Sequence, residues 1–169
     1  MALSRRKTLA LLGGGLIFAA GAGVGSAVMR TPRTAAAPWD MAGAYDDPRM
    51  RALSWAILAP IPHNQQPWLV DLSTPEEVTL LVNQDKLLPE TDPFSRQITI
   101  GLGCFLEVLR MAALADGWAV ETMLFPDGSD ADRLDNRPVA QLSFSPIPAH
   151  QAPLFAHVPA RRSLKEPFD

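Results

Sequence analysis

The strongest hydrophobic pattern in the chain lies between Thr91 and Gly117 and predicts a long amphipathic helix. Apolar residues recur there at spacings of three and four, which places them on one helical face. Thr91-Asp92-Pro93 is typical of a helix start, and Asp116-Gly117 ends the pattern with a residue that readily adopts a left-handed conformation. The predicted buried face consists of Ile98, Leu102, Phe105, Leu109 and Ala112 or Ala113.

Two glycines and the single cysteine of the sequence lie inside this predicted helix. Gly101 and Gly103 indicate close approach by another helix or backbone segment. Cys104, beside Phe105, is interpreted as a small core residue rather than a reactive thiol. Because it is the only cysteine, the chain has no intrachain disulfide and no cysteine-rich metal site. The three histidines show no metal-ligand spacing either, so no metal site is predicted.

A second, shorter helix and four strands are predicted in the rest of the chain. Asp47-Pro48 is a helix-start signal, the apolar run continues to Leu58, and Pro60 ends the helix. Short apolar runs bounded by turn residues predict strands at Trp68–Leu72, Val78–Val82, Trp118–Phe125 and Pro138–Phe144, the first two forming a hairpin. A last helical piece begins at Leu154. The predicted fold class is α+β, a small sheet packed by one long and one shorter helix.

Composition fits one globular domain, but the charge is divided unevenly along the chain. The 169 residues are 47% hydrophobic and 20% charged, with a net charge of -3. The first 33 residues contain five basic side chains and no acid, which leaves 10 basic and 18 acidic residues, a net -8, for the remainder. An acidic body argues against a broad basic face, so nucleic-acid binding is not expected.

Residues 1–37 are predicted to be an export signal. A positive head precedes an uncharged stretch, Leu9–Met29, rich in Ala, Gly and Leu. Ser4-Arg5-Arg6-Lys7-Thr8-Leu9 resembles a twin-arginine signal, whose route carries proteins that fold before they cross the membrane. Cleavage and retention as a single-span anchor both stay open, because Pro38 directly follows the small residues Ala35-Ala36-Ala37. Either outcome predicts a periplasmic location, free or membrane-anchored, and residues 38–45 are predicted to be a linker.

Two polar clusters are candidates for binding. The first is the loop Ala59–Trp68, which holds three prolines, His63, three carboxamide side chains and an indole. Such a rigid, amide-rich loop suits the edge of a polar ring system, or else is a turn whose amides cap neighbouring backbone. The second cluster supplies guanidinium, hydroxyl and ammonium groups that can surround a phosphate, or else forms a basic tail that aids solubility. Its members are Arg161, Arg162, Ser163 and Lys165.

Taken together, the clusters resemble the flavin site of the nitroreductase family. Ala-Pro-x-x-x-Asn-x-Gln-Pro-Trp after a helix looks like that family's flavin-binding loop, and Arg161, Ser163 and Lys165 match its Arg-x-Ser-x-Arg/Lys phosphate segment. The loop comes first in the chain and the phosphate segment last, an order that resembles the Acg-like branch, in which two nitroreductase-like halves are fused. The same branch is resembled by Thr91-Asp-Pro93 with Arg96 before a long helix. One departure is Ile61, where the family loop usually has serine.

The resemblance implies FMN as cofactor and assigns both clusters to it. The implied isoalloxazine contacts are Pro60, His63, Asn64, Gln66 and Trp68; the implied phosphate and ribityl contacts are Arg161, Arg162, Ser163 and Lys165. Residues 46–169 are expected to be one nitroreductase-like domain that lacks its C-terminal part, completed by a second half or a homodimer. No catalytic side chain is expected, since the flavin carries the chemistry.

Three functions follow from this reading. The leading one is an exported FMN-dependent oxidoreductase that passes two electrons from NAD(P)H or another donor to a nitroaromatic or quinone-like acceptor. The alternatives are a flavin-binding or flavin-sequestering protein without turnover, and a membrane-tethered interaction domain. The sequence contains no GxSxG elbow and no P-loop, so neither a serine hydrolase nor a nucleotide-phosphate loop is indicated.

Overall fold

A computed structural model describes residues 33–130, 132–150 and 152–163. The chain divides into two compact units, Met1–Asp40 and Met41–Asp169. Helix α1 (Arg33–Met41) covers the described part of the first unit and overlaps the predicted linker, residues 38–45. The predicted export signal lies almost wholly outside the described residues.

Helix α2 (Pro48–Ala56) opens the second unit where the sequence predicts it. The Asp47 carboxylate accepts a hydrogen bond from the Arg49 backbone N–H at 2.8 Å, and Pro48 takes the first helical position. Arg49 in turn donates to the backbone carbonyls of Leu72, Thr74 and Glu77, which ties the helix start to the following hairpin turn. The hydrogen bond from Arg49 lowers the pKa of Asp47 below its ordinary value.

Helix α3 (Arg96–Ala115) is the long predicted helix, but it begins later than its start signal. Ser95, with φ of +51°, immediately precedes it, so Asp92-Pro93 lies outside the first turn. The buried Asp92 carboxylate nevertheless accepts from the Ile98 N–H at 3.0 Å and so caps the helix from outside. The helix ends as predicted, at Asp116 with Gly117 left-handed at φ +83°. All six residues of the predicted apolar face are buried: Ile98, Leu102, Phe105, Leu109, Ala112 and Ala113.

Four antiparallel strands form one sheet in the order β1-β2-β4-β3. The strands are β1 (Trp68–Asp71), β2 (Glu77–Val82), β3 (Trp118–Leu124) and β4 (Ala140–Pro146). The predicted hairpin of β1 and β2 is confirmed, with Trp68 opposite Val82. Val78, Leu80 and Val82 alternate into the hydrophobic core that includes α2 and α3. The α+β class is therefore confirmed.

Among the described helices, α3 is long and apolar enough by length and composition to cross a bilayer. Its packing is that of a core helix, because Ile98, Leu102 and Phe105 are at most 1% exposed. The Phe105 ring also stacks on Trp68 of β1, with ring centroids 4.9 Å apart. Helix α3 thus connects the sheet to α2 and to the loop that follows α2.

Candidate functional site

The loop Ala59–Trp68 follows α2 and holds an unusual backbone. Residues Pro62–Asn64 make a single 3₁₀ turn, in which the Asn64 N–H donates to the Ile61 carbonyl at 3.2 Å. His63, Asn64 and Gln66 all have positive φ, between +49° and +52°. Residues other than glycine rarely adopt this backbone conformation, because it costs free energy. The surrounding structure therefore holds these residues in a strained arrangement.

The polar side chains of this loop point away from the core. Pro60, His63, Asn64 and Gln66 are all exposed. To the residues that the structure describes, the imidazole and the two carboxamides make no hydrogen bond. The alternative reading, in which these amides cap neighbouring backbone, has no support from the described contacts. Their donors and acceptors stay available to a ligand.

Ile61 anchors the middle of the loop on helix α3. A Cβ added to Gly101 would lie 2.1 Å from the Ile61 Cδ1 atom and 3.4 Å from the Pro60 carbonyl oxygen. The predicted close approach at Gly101 is confirmed, and it occurs because only a glycine leaves room for the isoleucine. The same prediction for Gly103 is wrong, because no described atom lies within 4 Å of a Cβ built there.

The C-terminal cluster is tied to the start of the same loop. A 3₁₀ turn at Pro153–His157 leads into Arg161, whose backbone N–H donates to the His157 carbonyl at 3.0 Å. The Arg161 guanidinium Nη2 then donates to the Leu58 carbonyl at 2.7 Å, across 103 positions of sequence. Because Leu58 is buried at 3% exposure, this charge-assisted bond fixes the chain direction at Arg161.

A cleft of about 310 Å³ opens between the loop, α3 and the C-terminal segment. Pro60 of the first cluster and Ser163 of the second both line it. The remaining lining residues are Ile61, Pro62, Gln97, Ile100, Gly101 and Cys104. None of these described side chains is charged. The cationic groups of Arg161 and Arg162 belong to the segment that delivers Ser163.

The α3 wall of the cleft is the part that sequence reasoning missed. Gln97, Ile100, Gly101 and Cys104 follow helical spacing on a face next to the buried one. Ile100 is 68% exposed, an unusual state for an isoleucine in the middle of a core helix. The signal was present in the sequence, since Ile100 falls outside the periodic apolar face. Cys104, half-buried and packed against the core, is also a cleft residue.

The structure separates the remaining predicted site residues. Arg162 is exposed and donates to the Pro159 and Arg161 carbonyls at 2.8 and 2.7 Å. Trp68 stacks on Phe105 and lines a different cavity, so its ring does not share a wall with Pro60 and Ser163. Lys165 lies outside the described residues. Pro60 and Ser163 thus share the cleft, and Arg161 is bonded to the residue just before the loop. The described lining of the cleft does not include His63, Asn64, Gln66 or Trp68.

Curated proteins of Mycobacterium tuberculosis are similar to this chain. An uncharacterized protein of strain H37Rv is 36% identical over 124 residues, which cover 70% of this chain and 35% of that protein. A protein of that strain named as a putative NAD(P)H nitroreductase is 32% identical over 118 residues, 69% of this chain and 33% of the relative. Another, named putative NAD(P)H nitroreductase acg, is 33% identical over 95 residues, which cover 56% of this chain and 27% of that protein.

The chain spans about a third of the length of the curated relatives that it matches. No protein-family model matches the chain. Two of the three relatives carry the nitroreductase name, and one of them carries the name acg, which is the branch that the two polar clusters resemble. These similarities support a relationship of this chain to the nitroreductase family.

Proposed function

We propose that this protein is an exported FMN-dependent oxidoreductase of the nitroreductase type. The observation that carries the proposal is the bond from Arg161 to the Leu58 carbonyl, which brings Ser163 to the cleft that Pro60 also lines. One residue of each cluster, Pro60 and Ser163, thereby lines a single opening, although the two clusters are more than 90 positions apart in sequence. A flavin nucleotide requires both chemistries, an uncharged ring site and an anion site.

The residues present fit FMN in three respects. The cleft volume, about 310 Å³, falls at the lower end of the roughly 300–1,000 Å³ of small-molecule pockets. The Asn64 and Gln66 carboxamides have unused donors and acceptors for a heterocyclic edge. The Arg161 Nη2 donates to Leu58, and the other N–H groups of its guanidinium pair with no described residue, so they can bind an anion.

Two positions depart from the family pattern and shape the expected contacts. Ile61 stands where a hydroxyl is usual and packs on Gly101, so it offers an apolar wall rather than a hydrogen bond. Trp68 lies against Phe105, away from the cleft. We therefore expect Pro60, which lines the cleft, to contact the ring, and His63, Asn64 and Gln66 of the same loop to reach its polar edge from beside the cleft.

When bound, FMN would supply two-electron chemistry, accepting from NAD(P)H or another donor and reducing a nitroaromatic or quinone-like acceptor. The chain's own part is binding and orientation. Arg161, Arg162, Ser163 and Lys165 would hold the phosphate and ribityl chain, and the loop amides would orient the ring edge. Ile61 and Ile100 give the cleft an apolar wall against which a planar ring can lie. No side chain needs to act as a nucleophile.

The predicted export signal determines where this chemistry would occur. The twin-arginine route carries folded proteins, so FMN could be loaded in the cytoplasm before transfer to the periplasm. Nicotinamide donors are scarce outside the cytoplasm, which favours another electron donor there. We also propose that a second half of the fold, or a second copy of the chain, contributes residues to this site.

Purification of the full chain tests the proposal. We expect a yellow preparation whose flavin is bleached by NAD(P)H or dithionite and recovers its colour when menadione or a nitroaromatic is added. Bound flavin that is reduced chemically but never reoxidised by an acceptor would favour the flavin-sequestering alternative. The specific argument for that alternative is Ile61, which stands where the family loop usually has serine and so removes a hydroxyl from the flavin edge. A colourless protein that does not take up FMN would leave only an interaction domain.

A further inference from the structure

A second cavity, of about 200 Å³, lies between α2 and the edge strand β1. It shares no lining residue with the cleft, so it is a separate feature of the Met41–Asp169 unit. The stacked rings of Trp68 and Phe105 form part of its wall. The other lining residues are Tyr45, Met50, Leu53, Ser54, Ile57 and Val70.

The wall of this cavity is almost wholly apolar. No described residue that lines it carries a charge. The Ser54 hydroxyl is already satisfied, because it accepts from the Gly43 N–H at 2.8 Å and donates to the Arg51 carbonyl at 2.6 Å. The Tyr45 hydroxyl makes no hydrogen bond to any described residue, while the Tyr45 carbonyl is held by the Arg51 Nε at 2.7 Å. The Tyr45 hydroxyl and the Trp68 indole N–H are thus the polar side-chain groups of this wall that pair with no described residue.

Size and polarity together define the class of ligand. An apolar protein cavity of about 150 Å³ stays dry and accommodates a benzene ring. The larger cavity here has room for a substituted ring or a fused pair of rings. A charged ligand would lose its hydration without gaining a partner, whereas an uncharged aromatic with one hydroxyl could pair with Tyr45 and stack against Trp68.

We propose that this cavity is a binding site for a small, uncharged aromatic molecule with one or two rings. The site is independent of the flavin cleft and of the oxidoreductase function proposed above. Trp68, which the family resemblance assigns to the isoalloxazine, belongs in this structure to the second site. Its contact with Phe105 connects the site to helix α3, whose other face lines the cleft.

Strand β1 offers a matched pair of variants for testing the site. Val70 lines the cavity and is 41% exposed, so Val70→Phe should fill the mouth without entering the core. Leu69, the residue before Val70, is 50% exposed and faces the opposite side of the sheet. Leu69→Phe is therefore the control, and phenylalanine is well tolerated in strands at both positions.

The probe is 1-naphthol, titrated calorimetrically into the full chain, with 1-naphthalenesulfonate as the charged analogue. We expect saturable 1:1 binding of 1-naphthol that Val70→Phe weakens at least about tenfold. Leu69→Phe and saturating FMN should leave the affinity unchanged, and the sulfonate should bind at least about tenfold more weakly. Intermolecular NOEs from 1-naphthol to the Trp68 and Phe105 rings should be seen in the wild-type protein, which keeps the test valid if a variant does not fold.

Four results would overturn the proposal: no binding of 1-naphthol, equal loss in the two phenylalanine variants, equal affinity for the sulfonate, or displacement by FMN. The last result would place the probe in the cleft. Failure of flavin binding, by contrast, would leave these outcomes unaffected and would count only against the proposed oxidoreductase.

Discussion

Replacing Asp92 by alanine should destabilise the protein more than the same replacement of an exposed acidic residue. Asp92 is 6% exposed, and its carboxylate is the acceptor for the N–H of the fully buried Ile98. In Asp92→Ala that N–H loses its partner at the first turn of α3, the helix around which the core is built. The substitution thus removes a cap and leaves a buried donor unpaired.

The magnitude follows from two overlapping ranges. Loss of an N-cap costs about 0.5–2 kcal/mol. An unpaired buried donor costs about 1–3 kcal/mol. We therefore expect the free energy of unfolding to fall by about 1–2 kcal/mol. With a urea m value of about 2 kcal/mol/M, the unfolding midpoint should fall by roughly 0.5–1 M.

Urea titration followed by far-UV circular dichroism and tryptophan fluorescence measures this shift. Asp92→Asn keeps an oxygen acceptor and should lose about half as much, since the amide is uncharged beside a helix N-terminus. Glu90→Ala is the matched control, because Glu90 is exposed and makes no hydrogen bond to the described residues. Equal midpoints for Asp92→Ala and Glu90→Ala would refute the capping role.

Four further predictions concern α3, the loop and the start of α2. Gly103→Ala should stabilise the protein by about 0.5–1 kcal/mol, because alanine is the better helix former and its Cβ meets no described atom. In urea unfolding, Gly101→Ala should have a free energy of unfolding about 1 kcal/mol lower than that of Gly103→Ala, because the new Cβ meets Ile61. This difference should disappear when both variants also carry Ile61→Ala, and a difference that persists would contradict the packing argument. His63→Gly should relieve the strain of the left-handed backbone at this position, so its stability should be unchanged or higher by about 1 kcal/mol, while its FMN binding should be weaker. A loss of both stability and FMN affinity would count against a functional role for the strain. The lowered pKa of Asp47 stabilises the folded state at pH values above the pKa of the unfolded chain, about 3.9, and this contribution is lost as the pH falls through the folded pKa. The free energy of unfolding of the wild type should therefore drop more steeply than that of Asp47→Asn between about pH 5 and about pH 3. Superimposable pH profiles of the two proteins would disprove this role of Asp47.

The elements with a strong local signal were predictable from sequence. The apolar face of α3 follows from helical spacing, and α2 follows from an N-cap acid with proline after it. The β1–β2 hairpin follows from two short apolar runs around a turn. These features depend on residues close to each other in the chain, so sequence patterns record them.

Features that depend on distant contacts were less predictable. The start of α3 was predicted too early because Asp92 caps from outside the first turn, through a loop that the pattern does not reveal. Gly101 and Gly103 look alike in sequence, but only Gly101 meets Ile61. The same limit applies to Trp68, whose direction depends on the Phe105 ring in another element. The strand order β1-β2-β4-β3 likewise is not encoded in any local motif.

Half of the candidate site was visible in the sequence and half required the fold. The amide-rich loop and the basic segment were evident from composition, and their meeting at the cleft depends on the bond from Arg161 to Leu58. The α3 wall was missed, because Gln97, Ile100 and Cys104 have no distinctive chemistry as a group and the position of Ile100 outside the periodic face was the one sign of it. Their importance comes only from the face on which the helix places them.

The central claim is that the loop and the C-terminal segment form one FMN site. Fluorescence titration of FMN with the full chain, the Asn64→Ala and Arg161→Ala variants, and Arg133→Ala as an exposed arginine control tests it most directly. We predict saturable 1:1 quenching of flavin fluorescence by the wild-type and Arg133→Ala proteins. Each of the two site variants should bind at least about tenfold more weakly. Full FMN affinity retained in both Asn64→Ala and Arg161→Ala, or no binding by the wild-type chain, would contradict the account.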